Sequence, residues 1–162
     1  MTVTIRPATE ADWPSILPIV QPVLAAGETY VIDRDLSDGA VHAYWMMPAH
    51  DVFVAELDGR IVGTYYMMHN QRGGGAHVAN CGYMTAPEAR GRGIARAMCL
   101  QSLDHARARG FRAMQFNHVV STNTGAVALW QKLGFEIVGT LPKAFKHPVH
   151  GFVDSYVMFQ TL

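Results

Sequence analysis

Apolar residues recur along this chain in two periods, and the change from one to the other marks out its elements. Ile94, Ala97, Met98, Cys99, Leu100, Leu103 and Ala106 return every three or four positions, the buried stripe of a helix over residues 91–109 that Gly110 closes. The flanking apolar runs at 77–85 and 111–120 are short and strand-like. Upstream, residues 3–6 read as a strand, and Thr9-x-x-Asp12 opens a helix that turns Trp13, Ile16, Leu17, Val20 and Leu24 toward a core. Pro14 suits its first turn, but Pro18 and Pro22 each remove an internal hydrogen bond, so a kinked or short helix is expected before Gly27 ends it. A second helix at 39–46 carries Val41, Tyr44 and Trp45. Strands at 51–56 and 60–68 form a hairpin across Asp58-Gly59, a pair suited to a type I′ turn, and 71–75 reads as a flexible loop. A helix at 124–133 ended by Gly134, then strands at 135–141 and 152–160, complete the chain. This order predicts an α/β (α+β) fold, one mixed sheet with helices on both faces.

The 162 residues are expected to form a single domain, 1–162, with no linker, repeat or low-complexity segment. Basic and acidic residues cancel at 13 each, which argues against a nucleic-acid groove, a polybasic membrane anchor or an acidic tail. Charged residues make up 16% against a usual value of about 25%. A second subunit covering part of the surface, as in a homodimer, is the expectation that follows. Cys81 and Cys99 lack metal-like spacing and read as buried thiols of a reducing cytoplasm, with a catalytic Cys81 as the alternative. The eight histidines show no ligand spacing, so no metal is expected. No basic, apolar leader precedes the first strand and no apolar run of about 18 residues occurs, so a soluble, cytoplasmic protein is expected.

Candidate chemistry begins at Pro87-Glu88-Ala89-Arg90-Gly91-Arg92-Gly93-Ile94-Ala95, where an apolar strand passes into a helix through an Arg- and Gly-rich turn. The first amides of a helix have no internal partners and stand at the positive end of its dipole, so they hold phosphate. Gly91 and Gly93 keep side chains away from such a ligand, and Arg90, Arg92 and Arg96 add charge. The bland alternative is an ordinary turn with a solvated basic face. A dinucleotide site would need a third Gly and a later acid, and a P-loop would need Gly-Lys-Ser/Thr; both are missing.

Arg90, Gly93 and Ala95 form the pattern Arg-x-x-Gly-x-Ala, which resembles the acyl-CoA signature of the GNAT superfamily of N-acetyltransferases. The likeness covers nearly the whole chain. Ile5-Arg6-Pro7-Ala8-Thr9 is similar to the family's first strand and turn, and the run from Asn123-Thr124-Gly125-Ala126 through Trp130 to Leu133-Gly134-Phe135 is similar to its second motif. The resemblance implies a mostly antiparallel seven-stranded sheet with strands four and five splayed, and acetyl-CoA as the acetyl donor. It implies a pyrophosphate on the amides of Arg90, Gly91, Arg92, Gly93, Ile94 and Ala95, and a pantetheine arm laid like an added strand beside Met84 and Thr85. Asn123 faces the pantetheine or acetyl group in this reading, with Trp130 beside it, and the segment between the first two helices, Tyr30 included, lines the acceptor site.

Two departures from that family's pattern shape the expected mechanism. Many relatives carry a Glu on the central strand, but residues 77–85 hold no carboxylate, and Asn80 can orient an amine without acting as a base. The usual acid is a Tyr on the second-motif helix; Trp130 stands there, and an indole N–H will not protonate a thiolate. Tyr83 is the substitute by proximity, against a structural role as a half-buried sheet aromatic. Proton removal falls to water, to His118 or to the low basicity of the substrate, and positioning is favoured over proton relay.

Asn80, Asn117 and Asn123 sit where strands disfavour Asn or a helix begins, so each amide needs a partner, in the chain or in a ligand. Asn80, Asn117, His118 and Tyr30 are the candidate acceptor-binding set, and Asn80, Asn123 and Tyr83 the candidate catalytic set. The loop 143–151 is expected to reach over the acceptor pocket or to a second subunit. The segments around Asn80 and Asn117-His118, with Trp130, resemble acetyltransferases that act on azetidine-2-carboxylate and related proline analogues. A small-molecule amine, an amino acid or a toxic analogue, is then the expected acceptor in direct transfer from a ternary complex. A protein N-terminal or lysine acetyltransferase and a non-catalytic acyl-CoA-binding module are the alternatives.

Overall fold

Seven strands carry the sheet in the computed structural model, which describes residues 2–162: β1 (Thr4–Pro7), β2 (Asp51–Leu57), β3 (Arg60–His69), β4 (Val78–Thr85), β5 (Ala113–Val120), β6 (Glu136–His147) and β7 (Gly151–Thr161). They lie in the order β1-β2-β3-β4-β5-β7-β6, antiparallel except where β5 runs parallel to β4. Four helices pack on this sheet: α1 (Trp13–Ala26), α2 (Asp38–Trp45), α3 (Ile94–Ala108) and α4 (Thr124–Lys132). The mixed, mostly antiparallel sheet is the one the sequence implied. Adjacent residues of a strand point to opposite faces, and β3 shows the consequence: Tyr66 packs on Trp45 of α2, while Tyr65 donates to Gln101 of α3. Helices α1 and α2 therefore cover one face, and α3 covers the other with α4, whose Trp130 meets Tyr83.

The parallel pair β4–β5 is the irregular seam. Only Val78 with Ala113 and Ala79 with Met114 are in register, and beyond them the strands diverge. β4 stays paired with β3 along its length, from His69↔Ala79 to Gly63↔Thr85. β5 instead follows β7, and its register slips between Phe116 and Val119. Such a bulge bends a strand and raises its twist, which carries β5 away from β4.

Two boundaries differ from the sequence expectation. α1 is not short: it runs 14 residues to a left-handed Gly27 at φ +65°, the residue expected to end it. Pro14, Pro18 and Pro22 recur every four residues and all three are exposed, so the missing hydrogen bonds fall on the solvent side, where water replaces them. Residues 143–151 are not a free loop. β6 continues to His147 and β7 starts at Gly151, making a two-stranded arm whose pattern is hidden by a bulge between Leu141 and Phe145. Lys143 adopts φ +51° there, and its N–H donates to Asp154 Oδ1 at 2.9 Å. The Asp58-Gly59 hairpin takes the expected form, with both turn residues at positive φ. Among the described residues no helix is long and apolar enough to cross a membrane.

The end of α4 illustrates how tightly the second layer is fixed. Gly134 has φ +99°, and a Cβ there would collide with the Gln160 amide nitrogen, which donates to Leu133 O at 2.8 Å. Gly134→Ala is expected to lower stability by about 1–3 kcal/mol. The measurement is urea unfolding, with a lower midpoint at unchanged slope; a midpoint equal to that of the parent would contradict the reading.

Candidate active site

A cleft of about 860 Å³ opens where β4 and β5 part. Its closed vertex lies just past Ala79 and Met114, the last in-register pair, and the turn that follows β4 borders it at Arg90 and Gly91. Beyond Ala79 the backbone groups of β4 that face away from β3 have no strand beside them. Buried or half-buried backbone groups demand partners, so this inner edge suits a ligand that is itself a chain of amides. Met84 and Thr85 lie on that edge, and the Tyr83 carbonyl already accepts from the Tyr30 hydroxyl at 3.1 Å.

The turn meets the requirements of an anion site in a way that local geometry explains. Helix α3 begins at Ile94, three residues later than the sequence pattern indicated, because Gly91 and Gly93 stand at φ +73° and +78°. The first helical hydrogen bond runs from Ala97 N to Gly93 O at 3.0 Å, so the amides of Gly93 to Arg96 precede the helical ladder. No protein atom lies within 4 Å of where a Cβ on Gly91 or Gly93 would stand; the requirement for glycine at these positions is the left-handed backbone. Ile94 contributes only its amide, since its side chain is 1% exposed beneath the helix. Arg90, Arg92 and Arg96 are all at the surface around the turn.

The Acetyltransferase (GNAT) family model matches residues 20–135, the span from within α1 through the Arg90–Ala95 turn to just past α4. The chain belongs to that family. It is 33% identical over 148 residues to the N-acetyltransferase aca1 of Schizosaccharomyces pombe, across 81% of this chain and 71% of that protein. A GCN5-related N-acetyltransferase from Kribbella flavida shares 48% identity and superposes at a TM-score of 0.94, over 99% of this chain and 98% of that one. A GNAT phosphinothricin acetyltransferase from Sinorhizobium meliloti, solved in complex with acetyl-CoA, is 25% identical at a TM-score of 0.87, over 100% of this chain and 89% of that one. This chain is accordingly a GNAT N-acetyltransferase, an enzyme family whose acetyl donor is acetyl-CoA.

In this GNAT chain the three asparagines have different surroundings. Asn80 lines the vertex, and its side-chain amide has no hydrogen-bond partner among the described residues. Asn123 stands at the head of α4 at φ −82°, ψ 62° and does not cap the helix; its side chain borders the cleft. Asn117 also lines the cleft, yet its amide is engaged at both ends: Oδ1 accepts from Gln115 Nε2 at 2.8 Å, and Nδ2 donates to Asn70 Oδ1 at 2.7 Å. Asn70 and Gln115 were not singled out from the sequence. Their link to Asn117 crosses from the end of β3 to β5, and no local pattern announces it.

Tyr83, Phe116 and Trp130 form an aromatic wall, with Tyr83 and Trp130 centroids 5.1 Å apart. The Tyr83 hydroxyl lies 2.7 Å from Ser102 Oγ, and Ser102 itself donates to Cys99 O at 2.7 Å. Ser102 has one hydrogen to give, so Tyr83 donates to Ser102 and its proton is committed behind the strand. Burial holds the Tyr83 phenol well above its ordinary range. The same burial pushes the Cys99 thiol up to about 12 and the Cys81 thiol higher still, so both stay neutral near pH 7.

His118 lies at the bulge of β5 and lines the cleft; its Nδ1 is sealed from solvent with no partner among the described residues. A proton on Nδ1 would be an orphan donor, a rarer and costlier arrangement than an orphan lone pair. The neutral ring therefore carries its hydrogen on Nε2 and presents a donor. Glu28, exposed on the segment between α1 and α2, is the carboxylate in the cleft wall. The arm 143–151 does not line the cleft, contrary to one of the two expectations for it. Among the described residues no group of three or more His, Cys, Asp or Glu could hold a metal ion.

Gly93→Asp tests the anion site directly, because Asp tolerates a left-handed backbone better than most residues while placing a carboxylate at the helix head. Affinity for acetyl-CoA, measured by calorimetry, is expected to fall at least tenfold in a variant that remains folded, its unfolding midpoint lowered only by the cost of a Cβ on a left-handed backbone. Unaltered affinity would remove the turn from the binding site.

Proposed function

We propose that this GNAT enzyme moves acetyl from acetyl-CoA to the amine of a small molecule, an amino acid or amino-acid analogue, by direct transfer in a ternary complex. The observation that carries this reading is the cleft itself. One cavity joins the turn at Arg90–Ala95 to a closed vertex lined by Asn80, with Asn117 and His118 farther along the β5 wall. In this reading the turn amides of Arg90, Gly91, Arg92, Gly93, Ile94 and Ala95 hold the diphosphate, and Met84 and Thr85 pair with the pantetheine. Asn123 and Trp130 flank the thioester.

The amine nitrogen, uncharged, attacks the thioester carbon; the new C–N bond forms as the C–S bond breaks, and the thiolate leaves. Asn80 orients the attacking nitrogen through its unpartnered amide. His118 donates from Nε2 to an oxygen of the reactants. Water takes the proton that the nitrogen loses, and the thiolate acquires one from solvent. Tyr83, with its proton committed to Ser102, serves as wall and backbone. No dedicated base or acid is assigned, because orienting two bound reactants is worth about 7–11 kcal/mol at its upper end. Tyr30 and Asn117 shape the acceptor end, their polar atoms held by Tyr83 and by Gln115 and Asn70. Azetidine-2-carboxylate and related proline analogues are the acceptors we place first, on the segments around Asn80 and Asn117, and the reducing cytoplasm is the compartment that suits two free cysteines.

Purified enzyme given acetyl-CoA and a panel of small amines and peptides is expected to release free thiol with at least one amino acid or analogue; turnover confined to peptides would overturn the acceptor class. Within that assay His118→Gln, which keeps an amide donor, is expected to retain most of kcat/KM, and His118→Leu to lose at least tenfold. Equal losses in both variants, with disappearance of an ionisation from the pH profile, would instead make His118 a base.

We also propose a homodimer. Val138 at the start of β6 and Val149 and Phe152 at the tip of the β6–β7 arm are 57, 75 and 65% exposed, large apolar side chains along one hairpin that a second copy would cover. Light scattering at micromolar concentration is expected to give twice the chain mass, and a monomer would remove the proposal.

A further inference from the structure

The acceptor end of the cleft contains a pair of hydroxyls that the reaction described above does not use. Tyr44 Oη and Tyr66 Oη lie 2.9 Å apart, and both residues line the cleft beside Asn80 and Gly82. The pair is held by a rigid frame. The Tyr66 ring is stacked on His50 with centroids 4.0 Å apart and planes 6° from parallel, and it meets Trp45 edge-on at 4.9 Å. His50 Nδ1–H donates to Trp45 O at 3.0 Å, and Trp45 Nε1–H donates to Thr64 Oγ1 at 3.1 Å, so each ring behind Tyr66 is itself anchored. In front, Tyr66 lies against the β4 backbone at Gly82, where a Cβ would come within 2.7 Å of its ring and 3.0 Å of its hydroxyl. Tyr44 closes the box edge-on to Tyr66 at 5.9 Å and to His50 at 5.8 Å.

A count of protons shows what this box offers. Two phenols carry two hydrogens, and the bond between them uses one. The other has no acceptor among the described residues. Burial raises both phenols above their ordinary range, so the second hydrogen is present throughout the pH range of an assay. The Tyr30 hydroxyl nearby is already given to the Tyr83 carbonyl. Among the residues lining the cleft the cationic side chain is that of Arg90, at the phosphate turn rather than at this end. An oxygen of a ligand at the acceptor end is therefore met by neutral O–H groups.

We propose that the Tyr44–Tyr66 pair is the subsite that receives the carboxylate oxygen of an amino-acid acceptor, fixing the molecule so that its amine reaches the thioester. This rests on the small-amine reading of the cleft and adds to it a specific recognition element. It makes the enzyme select acceptors bearing an oxygen near the amine over otherwise identical amines that lack one, since an unanswered phenol hydrogen at this end is left without a partner.

The test compares kcat/KM for azetidine-2-carboxylate and azetidine, and for proline and pyrrolidine, in the parent enzyme and in Tyr44→Phe, Tyr66→Phe and the double variant. Unfolding midpoints check that each variant is folded. The parent is expected to prefer the carboxylate member of a pair, and each single variant to lose about tenfold of that preference through KM rather than kcat. The double variant is expected to lose little more than either single one, because the hydroxyls act as a unit. A preference unchanged in folded variants, a loss confined to kcat, or a parent that favours the member without a carboxylate would overturn the subsite. A parent that binds acetyl-CoA yet acetylates no small amine would overturn the functional reading on which the subsite rests, and the subsite falls with it.

Discussion

Everything in the site follows from a parallel pairing that ends after two residues. Val78 and Ala79 of β4 are in register with Ala113 and Met114 of β5, and then the strands separate. A strand whose inner edge loses its neighbour leaves backbone donors and acceptors that must be answered. At the other seams between strands they are answered by the neighbouring strand; here the chain opens a cleft, places the Tyr30 hydroxyl on one carbonyl, and leaves the rest of the edge open. The bulge in β5 keeps the seam open because it commits β5 to β7 and away from β4.

The two ends of this cleft differ in chemistry. At the turn after β4, charge and helix geometry act together: amides ahead of the α3 ladder, two residues in the left-handed region, and arginines around them. Toward the vertex the lining is amides, an imidazole and a phenol pair set in an aromatic frame. A strong anion suits the first end. In the proposed reaction the second end suits an acceptor that has to present a neutral amine, because its groups can orient the nitrogen without holding its proton.

How much of this could be read from the sequence depended on the distance over which the determining contact acts. The Asp58-Gly59 hairpin, the glycines after α3 and α4 and the Arg90–Ala95 turn are set by neighbours a few residues away, and their residue types announce them. The extent of α1 was less legible, because Pro18 and Pro22 break helices only when the lost bonds are buried, and the packing that turned them outward is tertiary. The β6–β7 arm was hidden by its own bulge at Lys143, which interrupts the alternation that marks a strand. Within the site, Asn80, Asn117, Asn123 and His118 stood out as polar residues in apolar runs or at a helix start. Their partners did not: Asn70 reaches Asn117 from just beyond β3, Ser102 meets Tyr83 from α3 and Tyr44 meets Tyr66 from α2, contacts that tertiary packing alone creates. Tyr65 and Tyr66 are adjacent in an apolar strand, so they point to opposite faces, both covered by helices; Tyr66, opposite Gly82 on the α2 face, is the one that reaches the cleft.

The account turns on whether acetyl-CoA occupies the seam between β4 and β5. Hydrogen–deuterium exchange with and without saturating acetyl-CoA reads this residue by residue. Slowed exchange is expected at the amides of Gly91 to Arg96 and along Tyr83 to Thr85, where the diphosphate and the pantetheine supply the missing partners. Protection confined to other segments, or none at saturation, would contradict it.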